Sequence, residues 1–118
     1  MRLHWLLGAF VLSALLLRFH LVALEHFWYW KYPVFDIPMH MLGGLALGAF
    51  AVALSPRRRP RAYLAAMVVL FIGWELIEWY GGVTRYQANY VFDTMHDLLD
   101  DAVGAVAAYA LARFTIWR

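Results

Sequence analysis

The chain reads as four long apolar stretches separated by short polar ones. A membrane helix needs ~20 mostly apolar residues to cross ~30 Å of hydrocarbon. Segments near 3–24, 36–54, 61–82 and 93–117 meet that requirement, the last only if its acidic beginning belongs to the helix. Pro33 and Pro38 frame the start of the second segment, Pro56 and Pro60 break the link to the third, and Gly81-Gly82 closes the third. No repeat or low-complexity tract divides the chain. The pattern therefore predicts an all-α integral membrane protein: a four-transmembrane-helix bundle forming one domain over 1–118.

The first stretch follows Met1-Arg2 as the core of a signal peptide would. No small-x-small cleavage site follows it, and the apolar run continues past Arg18 to about Leu24, so a retained helix is expected. Composition agrees with a lipid solvent. Of 118 residues, 64% are hydrophobic and 15% charged, against about 45–50% and about 25% in soluble domains. Cysteine is absent, which excludes disulfides, thiolate metal sites and cysteine nucleophiles. The cluster "SPRRRPR" (55–61) is too short and too isolated to argue for nucleic acid, and no nucleic-acid partner is expected.

Charge placement gives an orientation. Arg57, Arg58, Arg59 and Arg61 lie between the second and third segments, which the positive-inside rule makes cytoplasmic. Four spans then place both termini in the cytoplasm, with Arg2, Arg113 and Arg118 on the same side. The expected location is the cell membrane, with lipids as partners. All eight acids, Glu25, Asp36, Glu75, Glu78, Asp93, Asp97, Asp100 and Asp101, fall in the outer half or the outer loops. So do the aromatic runs "HFWYWKYPVF" (26–35) and "WYGGVTRYQANYVF" (79–92), as an interfacial belt requires.

Three helix ends meet on that outer side. The second helix carries Asp36 and His40 one turn apart, and the third carries Glu75 and Glu78 on one face. On the fourth, Asp93, Asp97, Asp100 and Gly104 share a face flanked by His96 and Asp101. Asp97 and Asp101 descend ~6 and ~12 Å below Asp93. Asp93 reads equally well as an N-cap, and Asp36 as a helix starter. Glu25, His26 and His4 read as wet or peripheral, and His20 as a packing or interfacial residue.

Burial argues differently for Glu75, Glu78, Asp97, Asp101 and His40, which lie inside segments made for lipid. An ionisable side chain costs at least ~2.5–3.5 kcal/mol at the bilayer centre and less near the interface. Grouped acids need cations, shared protons or water. The outer basic residues are Arg18, Lys31 and Arg85, too few for eight acids. Arg18 either snorkels outward or serves as their counter-ion.

A divalent metal ion is therefore the expected cofactor. Its candidate ligands are Asp36, His40, Glu75, Glu78, Asp93, Asp97 and Asp101, with His96 and Asp100 as possible additions. Carboxylates with histidine suit magnesium, manganese, calcium, iron or zinc. "DTMH" is a shortened echo of the Glu-x-x-His pairs of di-iron bundles, and "ELIE" lacks the histidine.

"ELIEWY" followed by "DTMHDLLDDAVGA" resembles the YjdF-like family of small membrane proteins. The likeness covers Asp36, His40 and Gly44, then Glu75, Glu78 and Trp79, then Asp93, Thr94, Asp97, Asp101, Gly104 and Ala105. A more distant likeness is to VanZ-like proteins, which have these elements in the same order. The resemblance implies a membrane fold and a site on those residues, but brings no reaction with it. His96 and Asp100 stand at positions that its pattern leaves open. YjdF-like chains are typically longer, so the contribution of a further helix to the site is expected to be missing here.

Three functions fit. A metal-assisted enzyme would act on a lipid head group or lipid-linked sugar at the outer leaflet. A binding or envelope protein would hold a metal, a cationic lipid or a partner in the acidic cup. A transporter needs polar residues through the cytoplasmic half, where "LALGAFAVAL", "YLAAMVVLFIG" and "AVGAVAAYALA" are almost wholly apolar; it would require an oligomeric pore. Gly43, Gly44, Gly48, Gly104, Ala105 and Ala108 permit close packing within the chain, or a homo-oligomer seam.

Overall fold

The structure, a computed structural model, describes residues 1–82 and 88–117. Among these residues every regular element is helical. The order is α1 (Leu3–Glu25), a short α2 (Trp28–Lys31), a single 3-10 turn (Pro33–Phe35), α3 (Asp36–Leu54), α4 (Pro60–Tyr80) and α5 (Tyr90–Thr115). α1, the stretch Pro33–Leu54 containing α3, and α4 are long and apolar enough to cross a membrane. α5 is the longest helix, at 26 residues, but carries Asp93, Asp97, Asp100 and Asp101 in its first half.

Two helix boundaries differ from expectation. α5 starts a turn before Asp93, with Asn89 at its N-cap and no capping side chain. Asp93 is thus a first-turn acid at the positive end of the helix dipole rather than the cap. Apolar Tyr90, Val91 and Phe92 extend the helix upstream, which outweighs the capping preference of aspartate. α4 runs from Pro60, whose fixed φ suits a first helical position, to Tyr80. Gly82 follows it at φ 77°. The aromatic run after α1 also holds more structure than a simple interfacial belt. Phe27 adopts a left-handed conformation (φ 57°) and turns the chain into α2, where Trp28 and Tyr29 both pack edge-on against Phe35.

α3 is the centre of the molecule, with α1 against one side and α5 against the other. Its small residues make this possible. A Cβ on Gly44 would run into the backbone carbonyl of Asp101, and one on Gly104 into that of Met41. Gly48 fits against Ala108, Ala105 and the Tyr63 hydroxyl. The two backbones therefore touch, as small-xxx-small helix pairs in membranes do. On the other side Gly43 faces Leu16, and Phe10 meets Phe50 edge-on with ring centroids 5.1 Å apart.

α4 leans on this assembly through one stripe, with Tyr63, Met67, Phe71 and Glu75 buried at four-residue intervals. The Tyr63 hydroxyl donates to the Ala105 carbonyl at 2.7 Å. At the same end, Arg2 gathers the chain: its backbone N–H donates to Ala53 and its guanidinium to the carbonyls of Pro56 (3.1 Å) and Ile116 (3.5 Å). The N-terminus, the basic 55–61 link and the end of α5 therefore lie together, opposite the acidic helix ends.

Candidate metal centre

The acidic end is built from the first turns of α3 and α5 and the last turns of α4. Asp36 opens α3, and His40 follows one turn in. Glu75 and Glu78 occupy the final turns of α4, while Asp97 and Asp101 fall on the face of α5 pressed against α3. The N-termini of α3 and α5 bring the positive ends of two helix dipoles to this point, which favours negative charge there.

His40 is the hub. Its side chain is 12% exposed, and its Nδ1 lies 3.1 Å from Asp101 Oδ1. Nε2 faces Asp97 Oδ1 at 3.4 Å and Asp36 Oδ1 at 3.7 Å. A carboxylate on one ring nitrogen with the other nitrogen turned towards further acids is the arrangement by which proteins orient a ligating histidine. Asp101 is thereby placed to fix the ring while Nε2 stays available.

Glu75 completes the centre from α4. It is only 7% exposed, and both carboxylate oxygens are buried without a hydrogen bond of good geometry, Thr94 being a side chain that approaches them. A buried polar atom without a partner costs about 1–3 kcal/mol, and more if charged. Three overlapping groups bring ligand atoms within 4.8 Å of one another: Asp36, His40 and Asp97; His40, Glu75 and Asp101; Glu75, Glu78 and Asp97. Six of the seven expected ligands thus converge from three helices.

The remaining candidates stand apart. Asp93 is half-buried on α5 and belongs to none of the three groups. Asp100 is buried but lies 3.8 Å from the exposed His96, one turn away on its own helix. Arg18 is exposed on α1 and forms no ion pair among the described residues. Lys31 is likewise exposed, and Arg85 lies outside the described residues. Among the described residues the ion pairs of the cluster all run through His40.

One neighbour was not expected from the sequence. Tyr29 of α2 receives His20 Nδ1 at 2.8 Å from its hydroxyl. Burial, then the charges of Asp36 and Glu78, push its phenol up to about 12. The signal in the sequence was its place in the aromatic run just before Asp36. Thr94 entered only through the family resemblance.

A family model matches residues 2–118, that of the predicted membrane proteins DUF2238. No curated protein and no solved structure matches the chain.

Proposed function

We propose, for a chain that belongs to the DUF2238 family of predicted membrane proteins, that the acidic centre binds a divalent metal ion at the outer face of the plasma membrane. The protein then spans the membrane four times, with both termini and the 55–61 link in the cytoplasm. The YjdF-like resemblance is compatible with this family; the comparisons lend the VanZ-like one no support. One observation carries the metal reading: the buried, unpartnered carboxylate of Glu75, set among His40, Asp97 and Asp101. A carboxylate there without a cation costs more than an apolar residue would.

His40, Glu75 and Asp97 are the residues that would hold the ion, with Asp101 orienting the imidazole and Asp36 and Glu78 at the rim. A bound divalent ion supplies Lewis-acid polarisation of a phosphoryl or carbonyl oxygen. The chain's own groups fix its position, and the rim acids Asp36, Glu78 and Asp93 are placed to meet a substrate's polar end. The substrate class is a lipid head group or a lipid-linked molecule, because the centre opens among helices whose outer surfaces are apolar.

Elemental analysis of protein purified in mild detergent tests this. Near-stoichiometric divalent metal is expected in the native chain, with loss in Glu75→Gln and Asp97→Asn. A metal-free native protein, equally stable with or without those substitutions, would sink the idea. The absence of cysteine makes the topology testable too. Ser55→Cys should react with an impermeant thiol reagent only after permeabilisation, and Tyr32→Cys in intact cells.

A further inference from the structure

The seam between α4 and α5 is open to the surrounding membrane. Its outer part is a groove of about 470 Å³ whose walls include Ile72, Leu76, Tyr90, Thr94 and Met95, with Glu75 at its inner side. A second groove of about 290 Å³ follows the same seam towards Tyr63 and Tyr109. The outer groove covers α4 from Ile72 to Trp79, a rise of ~10 Å. That is about two thirds of one leaflet of a ~30 Å hydrocarbon core. An ordinary lipid-facing crease is apolar throughout. This one has Glu75, a residue of the centre, among its lining residues, with its buried carboxylate behind that wall.

We infer that this groove seats one acyl chain of a lipid carrying a primary ammonium in its head group, and that the ammonium meets the acids at the rim. The inference rests on the reading of the cluster as a cation site and names what that site handles. Charge complementarity selects the head group. Asp36, Glu75, Glu78, Asp97 and Asp101 gather around a single imidazole. A divalent ion held by the buried members leaves acids at the rim, where Asp36 and Glu78 are half-buried. An anionic head group is repelled there. A quaternary ammonium has no N–H to donate, whereas a primary ammonium offers three donors to carboxylate oxygens. The groove's place beside Glu75 puts the tail in hydrocarbon while the head reaches the centre.

The test uses full-length protein in bilayers of equal parts phosphatidylethanolamine, phosphatidylglycerol and phosphatidylcholine. After mild extraction, retained lipid is identified by native mass spectrometry and metal content is measured on the same sample. The native chain is expected to retain phosphatidylethanolamine several-fold over the other two. Ile72→Trp and Met95→Trp fill the groove from opposite walls at exposed positions; both should lose the retained lipid and keep the metal. Glu78→Gln should keep a lipid but level the preference among head groups. Equal retention of all three lipids, preference for phosphatidylglycerol, or full retention in both tryptophan variants overturns the proposal. Selective retention without any metal defeats the metal reading alone, and stoichiometric metal without retained lipid defeats the lipid reading alone.

Discussion

α3 and α5 hold each other by backbone, whereas α4 is held by a row of side chains. In the first pair, Gly44 and Gly104 let the helices approach until no Cβ fits between them. α4 keeps one buried residue per turn, and the last of these, Glu75, is a carboxylate where an apolar side chain would pack at lower cost. The difference separates two tasks. The glycine seam fixes His40 against Asp97 and Asp101, while the looser helix delivers Glu75 and leaves a groove beside it.

Equivalent changes on the two sides should therefore have opposite results. Gly104→Ala places a methyl group against the Met41 carbonyl, which only a shift of backbone relieves. A loss of about 3 kcal/mol is expected, at the upper end for overpacking. Gly73→Ala on α4 meets nothing within 4 Å and should gain up to ~1 kcal/mol from helix propensity alone. Thermal unfolding of both variants in one detergent measures the contrast. Equal effects would mean that the seam is not as tight as described.

Glu75→Leu sharpens the comparison next. Leucine continues the stripe of Tyr63, Met67 and Phe71 and removes two unpartnered oxygens. In chelator the variant should be about 1–3 kcal/mol more stable than the native chain. With divalent metal restored the native chain should gain stability and the variant should not. A native chain that outlasts the variant in chelator would show that Glu75 is satisfied without an ion. Tyr63→Phe tests the other end of the stripe. Losing its 2.7 Å bond to Ala105 should cost about 0.6 kcal/mol, typical of interhelical bonds in membranes. A loss comparable with that of Gly104→Ala would show that α4 is as firmly held as the seam.

Much of this division was legible in the sequence. Apolar length and Pro/Gly punctuation located the four long helices, and helical periodicity put Asp97 and Gly104 on one face. Periodicity put Asp100 on the shared face and Asp101 on its flank, neighbours ~100° apart on the same helix, and the structure reverses the two. Packing decides it: the Gly44 contact with the Asp101 backbone turns that residue towards His40 and leaves Asp100 beside His96. The groove was illegible for a related reason. Ile72, Leu76 and Met95 look like any lipid-facing residues until the spacing of α4 from α5 is known. α2 was hidden because four aromatic and basic residues between two spans carry no helical period of their own.

The smallest expected effect concerns Tyr29 of α2, which feels the charges of Asp36 and Glu78. Tyr29 bonds His20 across the turn between α1 and α2, and its phenol is pushed up to about 12 by burial and by Asp36 and Glu78. An unfolded tyrosine loses its proton near 10. A group whose folded pKa is raised contributes stability below the unfolded value, and that contribution fades as pH climbs towards the folded one. The native chain should therefore lose stability between about pH 10 and 12, and Tyr29→Phe should lose less over the same window. Below pH 9 the two should differ only by the exposed bond to His20, worth about 0.5–1.5 kcal/mol at most. Unfolding midpoints of the two proteins across pH 8 to 12 decide the matter, because the remaining tyrosines are common to both and cancel in the difference. Parallel curves would place Tyr29 away from Asp36 and Glu78, and would detach α2 from the acidic centre.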